Sequence, residues 1–302
     1  MGLICFDMTI DEEPLTFDCE GETLIAVLSG VSSPARRGVL VVVGGPQYRV
    51  GSHRQFTLLA RYLAGRGLPV MRFDYRGMGD SGGETRTFER VGTDIRRAID
   101  RFLERVPQLT DVVIWGLCDA ASAALFYAHQ DRRVSGLALV NPWVRTEQGA
   151  ARAYLRHYYA ARIFNPAFWR KISRGEFGLR QSVAGLGRLV VNAMGRGQAP
   201  DAGTAPAAGT DADAGAADRA PLPERMEDGL RRFRGPVLLV LSGSDLTAQE
   251  FKDLVAGSRG WRRLLANRRI TRHDLPEANH TFARRDWRDQ VARWTEEWVK
   301  SW

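Results

Sequence analysis

The chain has 302 residues, 44% of them apolar, and a formal charge of +8. That is length enough for one large α/β domain with an insertion or for two small domains, and no apolar run approaches the ~18 residues needed to cross a bilayer. The positive balance does not point to nucleic acid, because only Lys171, Lys252 and Lys300 are lysines, the arginines are spread along the chain, and no binding motif accompanies them.

The opening stretch MGLICFDMTIDEEPLTF has no basic segment and meets Asp7 and Asp11-Glu12-Glu13 where a signal peptide needs an apolar core, so the expected location is the cytoplasm. Cys5, Cys19 and Cys118 lack CxxC spacing, which argues against a disulfide framework and a structural zinc site. No P-loop or ligand cluster appears, and neither cofactor nor metal is expected.

Two short alternating runs, LTFDCEG and ETLIAVLSG, with Gly21 between them, predict an antiparallel hairpin. GVLVVV (38–43) is a continuous apolar run, the pattern of a strand covered on both faces. The loop GGPQYR and His53 follow, then a helix near 52–66, strand LPVMRFD (68–74) and a helix near 87–105. FDYRGMGDSGG (73–83) reads as a loop braced by a carboxylate–guanidinium pair. Its Ser81 is not in the strand–turn–helix setting that a nucleophile needs.

Strand DVVIWG (111–116), helix 119–130 and strand VSGLALV (134–140) continue the alternation, which predicts a mostly parallel, doubly wound sheet of the α/β class. It stops at Asn141-Pro142. Residues 142–230 read as a helical lid inserted between a first core segment, 1–141, and a second, 231–302. The lid is rich in aromatics, among them Tyr154, Tyr158, Phe164 and Trp169, and ends in an Ala/Gly/Asp/Pro stretch at 198–223 expected to be disordered. The core resumes with VLLVLSG (237–243), a helix near 247–256, strand ITRHDL (270–275) and a terminal helix from about 284.

The chemistry centres on Gly116-Leu117-Cys118-Asp119-Ala120. A strand, a tight turn with small residues and an Ala-rich helix make a nucleophile elbow, with Cys118 at a helix N-terminus that favours a thiolate. In that arrangement the orienting acid and the base come later in the chain. Asp245 follows the strand VLLVLSG, and His280 sits in the loop PEANH beyond the last strand, so three strand ends deliver Cys118, Asp245 and His280 to one crevice.

The oxyanion donors are expected to be the backbone N–H of Asp119 and that of Gly45, since Pro46 has none. The Asp119 carboxylate raises the thiol pKa by like-charge repulsion, against the helix terminus and a protonated His280. Candidate substrate-contacting residues are His53, His157 in the lid and Trp143. His129, late in a helix, and His273, inside a strand, read as structural.

With these elements in place the chain resembles the α/β-hydrolase superfamily, RFDYRGMGDSGG being similar to its D-x-R-G-x-G-x-S stretch. More narrowly, GGPQYRVGSHRQF, WGLCDAASAALFYA, NPWVRT and NPAFWRKISRGEF together look like the exosortase A system-associated hydrolase family, first type. The resemblance implies a bacterial hydrolase of systems that sort PEP-CTERM proteins and make exopolysaccharide, with those systems' components as possible partners. It supplies no substrate, and the superfamily roles fall on Cys118, Asp245 and His280, cysteine replacing the usual serine. The expected function is acyl transfer through an acyl-cysteine, from a small-molecule or acyl-carrier-linked ester or thioester. The alternatives are a non-catalytic binding protein of the same fold, and a lactone hydrolase like the dienelactone hydrolases, which use an elbow cysteine but are expected to lack so long a lid.

Overall fold

The computed structural model describes residues 11–45, 47–144 and 220–302. The chain divides into two units, residues 1–144 with 223–302, and residues 145–222. Most of the expected lid, its aromatics, His157 and nearly all of the stretch at 198–223 lie outside the described residues, as does Cys5.

Strands β1 (Glu12–Cys19) and β2 (Glu22–Ser29) form the expected antiparallel hairpin, with Cys19 opposite Glu22. Glu20 and Gly21 have φ of 55° and 84°, the two positive values that a type I′ turn requires and that glycine adopts without strain. Strands β3 (Arg37–Val42), β4 (Val70–Phe73), β5 (Asp111–Leu117), β6 (Val134–Val140), β7 (Val237–Ser242) and β8 (Ile270–Leu275) complete one sheet in the order β1-β2-β4-β3-β5-β6-β7-β8. All neighbours from β4 to β8 pair in parallel. β3, β5, β6 and β7 are buried along almost their whole length, as their apolar runs require, whereas the edge strand β8 keeps its polar residues partly exposed.

Helices cover the two faces. α1 (Gln55–Ala64) buries Phe56, Leu59, Ala60 and Leu63 at helical spacing, and the terminal helix buries Val291, Ala292, Trp298 and Val299. Both sets pack on Val39 and Val41 of β3, Val113 and Trp115 of β5, and Val240 of β7. Each large side chain buried in this way contributes about 1.5–3 kcal/mol. On the opposite face α2 (Gly92–Arg105) lays Phe102 over Gly38, where a Cβ would come within 2.6 Å of the ring. α3 (Asp119–Tyr127) follows β5 directly.

After the undescribed segment α4 (Leu222–Arg232), in a region assigned from sequence to the end of the lid and its disordered loop, buries Met226 and Leu230. It packs so tightly on α3 that a Cβ on Gly229 would strike the Leu125 carbonyl. α5 (Leu246–Gly257) leads into α6 (Arg259–Leu265), a short helix not anticipated, anchored by a buried Trp261 that meets Phe251 edge-on at 5.4 Å. α7 (Arg285–Lys300) closes the fold.

The loop after β4 is braced by carboxylate–guanidinium pairs, but the partners differ from a simple Asp74–Arg76 pairing. Asp74, fully buried, pairs with Arg49, which also reaches Asp80 at 2.6 Å. Arg76 instead makes a bidentate pair with buried Asp94, Nε–Oδ1 and Nη2–Oδ2 both 2.9 Å, and touches the exposed Glu20. Neighbouring side chains in a turn point apart, so each charge is matched from another element. Ser81 is used structurally: its hydroxyl donates to the Asp74 carbonyl at 2.6 Å and accepts from the Ile25 amide at 2.9 Å. Asp94→Ala strands a buried guanidinium and is expected to cost about 3–5 kcal/mol. Urea unfolding checks this, and Arg76→Met/Asp94→Leu should cost clearly less than the single change.

Candidate active site

The site is built at the carboxyl ends of the parallel strands. At the end of β5 the chain turns at Cys118, with φ 64° and ψ −126°, into α3. For a non-glycine residue that conformation costs on the order of 1–3 kcal/mol and persists only when the surroundings impose it. Here they do: the Cys118 N–H donates to the Val140 carbonyl at 2.9 Å, and the Cys118 carbonyl accepts from the amides of Ala121 and Trp143, both at 3.1 Å. Gly116 has no room for a side chain, since a Cβ would lie 2.6 Å from the carbonyl carbon of Ala120. The half-buried cysteine therefore stands at a helix N-terminus, on the β6 side of a fixed turn. Cys19, in contrast, is fully buried, and burial pushes its thiol up to about 11, a poor nucleophile.

Asp245 and His280 are brought together. The His280 Nδ1 lies 2.8 Å from Asp245 Oδ2. Asp245 caps α5, accepting from the amides of Thr247 and Ala248 at 3.1 Å each, and the Ser242 hydroxyl donates to it at 3.3 Å. Burial alone would raise its pKa, but the His280 hydrogen bond and charge and the two helix amides outweigh burial and hold it below the usual carboxylate range. The acid and histidine loops are locked to each other, the Ser244 amide donating to the Ala278 carbonyl at 2.9 Å and the Gly243 amide to that of Leu275 at 3.0 Å.

The residue that ties these loops to the elbow was not singled out from sequence. Asn141, fully buried just past β6, donates from Nδ2 to the His280 carbonyl at 3.0 Å and accepts from the Ser242 amide at 2.8 Å. Its neighbour Val140 accepts from Cys118. One step of backbone thus joins the nucleophile turn, the acid strand and the histidine loop. The only signal was a polar residue ending an apolar strand ahead of Pro142.

Both expected oxyanion donors, the amides of Gly45 and Asp119, act on the Asp119 carboxylate. The Gly45 N–H donates to the Asp119 carboxylate, N–Oδ2 2.9 Å. Asp119 Oδ1 is buried, with no hydrogen-bond partner among the described residues, and it occupies the space a Cβ on Gly44 would take. Burial raises the Asp119 pKa, against the lowering effect of the amides of Gly45, Ala120 and Asp119 itself and of the His280 charge. Gly44 is required by the same packing, since its Cβ would also lie 2.6 Å from the Leu117 carbonyl.

Of the other candidates, Trp143 is half-buried, and its carbonyl receives the Ser122 hydroxyl at 2.6 Å. His53 is exposed in the turn Ser52–Arg54, with φ 53°. His273 stacks on Trp294 at 4.4 Å, and burial lowers its pKa and that of His129. Among the described residues no cluster of His, Cys, Asp and Glu is arranged to hold a metal ion, and no helix is long and apolar enough to cross a membrane.

Comparison with known proteins agrees with this architecture. A family model described as serine aminopeptidase, S33, matches residues 34–176, which include the elbow but neither Asp245 nor His280. No curated protein sequence matches the chain. Among solved structures the chain is similar to the Pyrococcus furiosus esterase Pf2001, at 13% identity and a TM-score of 0.63, over 98% of this chain and 94% of that one. It is also similar to Est1E from Butyrivibrio proteoclasticus, solved with ferulic acid bound, at 17% identity and a TM-score of 0.60, over 94% of this chain and 97% of that one. The thioesterase domain from the curacin biosynthetic pathway matches at 16% identity and a TM-score of 0.54, over 94% and 98% of the two chains. The chain has the α/β-hydrolase fold, with an antiparallel N-terminal pair on a mostly parallel eight-stranded sheet.

Proposed function

We propose that the protein is a hydrolase or acyltransferase that works through an acyl-cysteine on Cys118. The observation that carries this reading is the Asp245–His280 contact of 2.8 Å in the loops that Asn141 fastens to the elbow. With Nδ1 held by Asp245, His280 keeps Nε2 for proton transfer. Nε2 takes the Cys118 proton, Sγ bonds to the acyl carbon of an ester or thioester, and the carbonyl electron pair moves onto oxygen. Collapse expels the alcohol or thiol, which leaves with the proton from His280. Water or a second acceptor, deprotonated by the same nitrogen, then attacks the acyl-cysteine, and the thiol is regenerated.

A thioester is the favoured donor, because exchange of one thioester for another is nearly balanced in energy. The esterase and thioesterase neighbours support that substrate class by fold only. The setting within exosortase and exopolysaccharide systems rests on the sequence resemblance, and a cytoplasmic location on the acidic N-terminal stretch without a signal-peptide pattern. A second reading, a binding protein that retains the fold, is favoured by one observation: the Gly45 amide is occupied by Asp119.

Intact-mass analysis after exposure to activated esters, acyl thioesters and a fluorophosphonate tests the choice. An acyl adduct that maps to Cys118 and forms more slowly in His280→Ala is expected. Absence of any adduct, with Cys118 alkylated at an ordinary free-thiol rate, would favour the binding protein.

A further inference from the structure

Four features surround the Asp119 side chain. Its Oδ2 takes the Gly45 N–H at 2.9 Å, the amide expected to face the acyl oxyanion. Its Oδ1 fills the space left by the missing Cβ of Gly44. It follows Cys118 directly, so substrate carbonyl and carboxylate meet at one place. Finally, the amides of Ala120 and Asp119 also act on the carboxylate, so it keeps donors when it gives up that of Gly45.

We propose that the Asp119 carboxylate is an internal oxyanion mimic, seated on the Gly45 donor in the resting protein, which an acyl donor must displace before its own oxygen can be held there. The proposal rests on the acyl-cysteine reading above, and it makes Asp119 the residue that decides how readily neutral acyl donors are accepted. An ionised Asp119 opposes the reaction twice, by occupying a hydrogen-bond donor and by repelling the negative charge that develops on the carbonyl oxygen. When it gains a proton, the repulsion disappears and the acceptor weakens. The titratable groups acting on it are His280, from the loop after β8, and Tyr75, from the loop after β4, with the Cys118 thiol adjacent in the chain. Burial raises its proton uptake above the ordinary aspartate range.

The test uses the full chain with p-nitrophenyl acetate and S-phenyl thioacetate, following acylation of Cys118 by rapid quench and intact mass from about pH 5 to about pH 8. Near the upper limit Asp119→Ala is expected to acylate about 10- to 100-fold faster than wild type, with Asp119→Asn between them, since the amide can still accept from Gly45 without a charge. The advantage should shrink as pH falls and wild-type Asp119 takes up its proton. Alkylation by iodoacetamide needs the thiolate but no oxyanion donor, so it reports the charge effect on Cys118 alone. Acylation must gain more than alkylation.

Equal gains, or acylation in Asp119→Ala no faster than in wild type at any pH, would overturn the proposal while leaving the acyl-cysteine intact. No acylation in any variant removes the underlying reading and the gate with it. Should Asp119→Ala fail to fold by circular dichroism, Asp119→Asn and Asp119→Ser carry the same comparison.

Discussion

In Cys118→Ala, acyl-adduct formation should vanish and turnover of any ester or thioester substrate should fall by at least about 10⁴-fold, the scale of losing a covalent nucleophile. Alanine meets the same backbone constraint as cysteine at φ 64°, and the hydrogen bonds from Cys118 N–H to Val140 and from Ala121 and Trp143 to its carbonyl are all main-chain. The fold is therefore expected to survive, and any loss belongs to the sulfur. Cys118→Ser provides the complementary measurement. It keeps a nucleophilic atom on the same turn and should retain measurable esterase activity with slower attack, because a hydroxyl holds its proton far more tightly than a thiol. Full turnover in the alanine variant, measured alongside its melting temperature, would remove Cys118 from the chemistry.

Much of the framework was legible before any coordinates, for identifiable reasons. Continuous apolar runs such as GVLVVV mark strands covered on both faces, and Glu20-Gly21 between alternating segments marks the hairpin. The ends of β5, β7 and β8 followed from those runs, and with them the positions of Cys118, Asp245 and His280. What escaped was long-range pairing. Nothing in the neighbourhood of Arg76 says that its carboxylate is Asp94, or that Asp74 is matched by Arg49 from before α1. Arg72 sits in a fully buried strand because Thr57, Glu12 and the Arg49 carbonyl take its guanidinium, three partners scattered over the chain. Asn141 belongs to the same class. The Gly45–Asp119 contact is subtler still, since both residues read from sequence as backbone oxyanion donors and the Asp119 carboxylate only as a charge beside the thiol.

The second large effect is expected at Asp245. Asn in its place can still accept from the Thr247 amide on its remaining oxygen, so α5 stays capped there, while the Ala248 amide loses its acceptor because it shares Oδ2 with His280. Toward His280, however, the amide nitrogen presents a hydrogen-bond donor where the carboxylate accepts. The ring then takes the tautomer with its proton on Nε2, the nitrogen that must receive the Cys118 proton, and turnover should drop by about 10⁴-fold with the geometry intact.

Stability supplies an independent check. Because the folded-state pKa of Asp245 is depressed, its ionised form adds stability that is fully present above the unfolded value of about 4 and is lost as pH falls through the lower folded value. Wild type should therefore melt above Asp245→Asn near neutral pH, the difference closing as the buffer is made more acidic than about pH 4. Near-wild-type turnover in Asp245→Asn would show that the carboxylate does not set the imidazole tautomer. A melting difference that persists unchanged into acid would show that its stabilising role is not ionic.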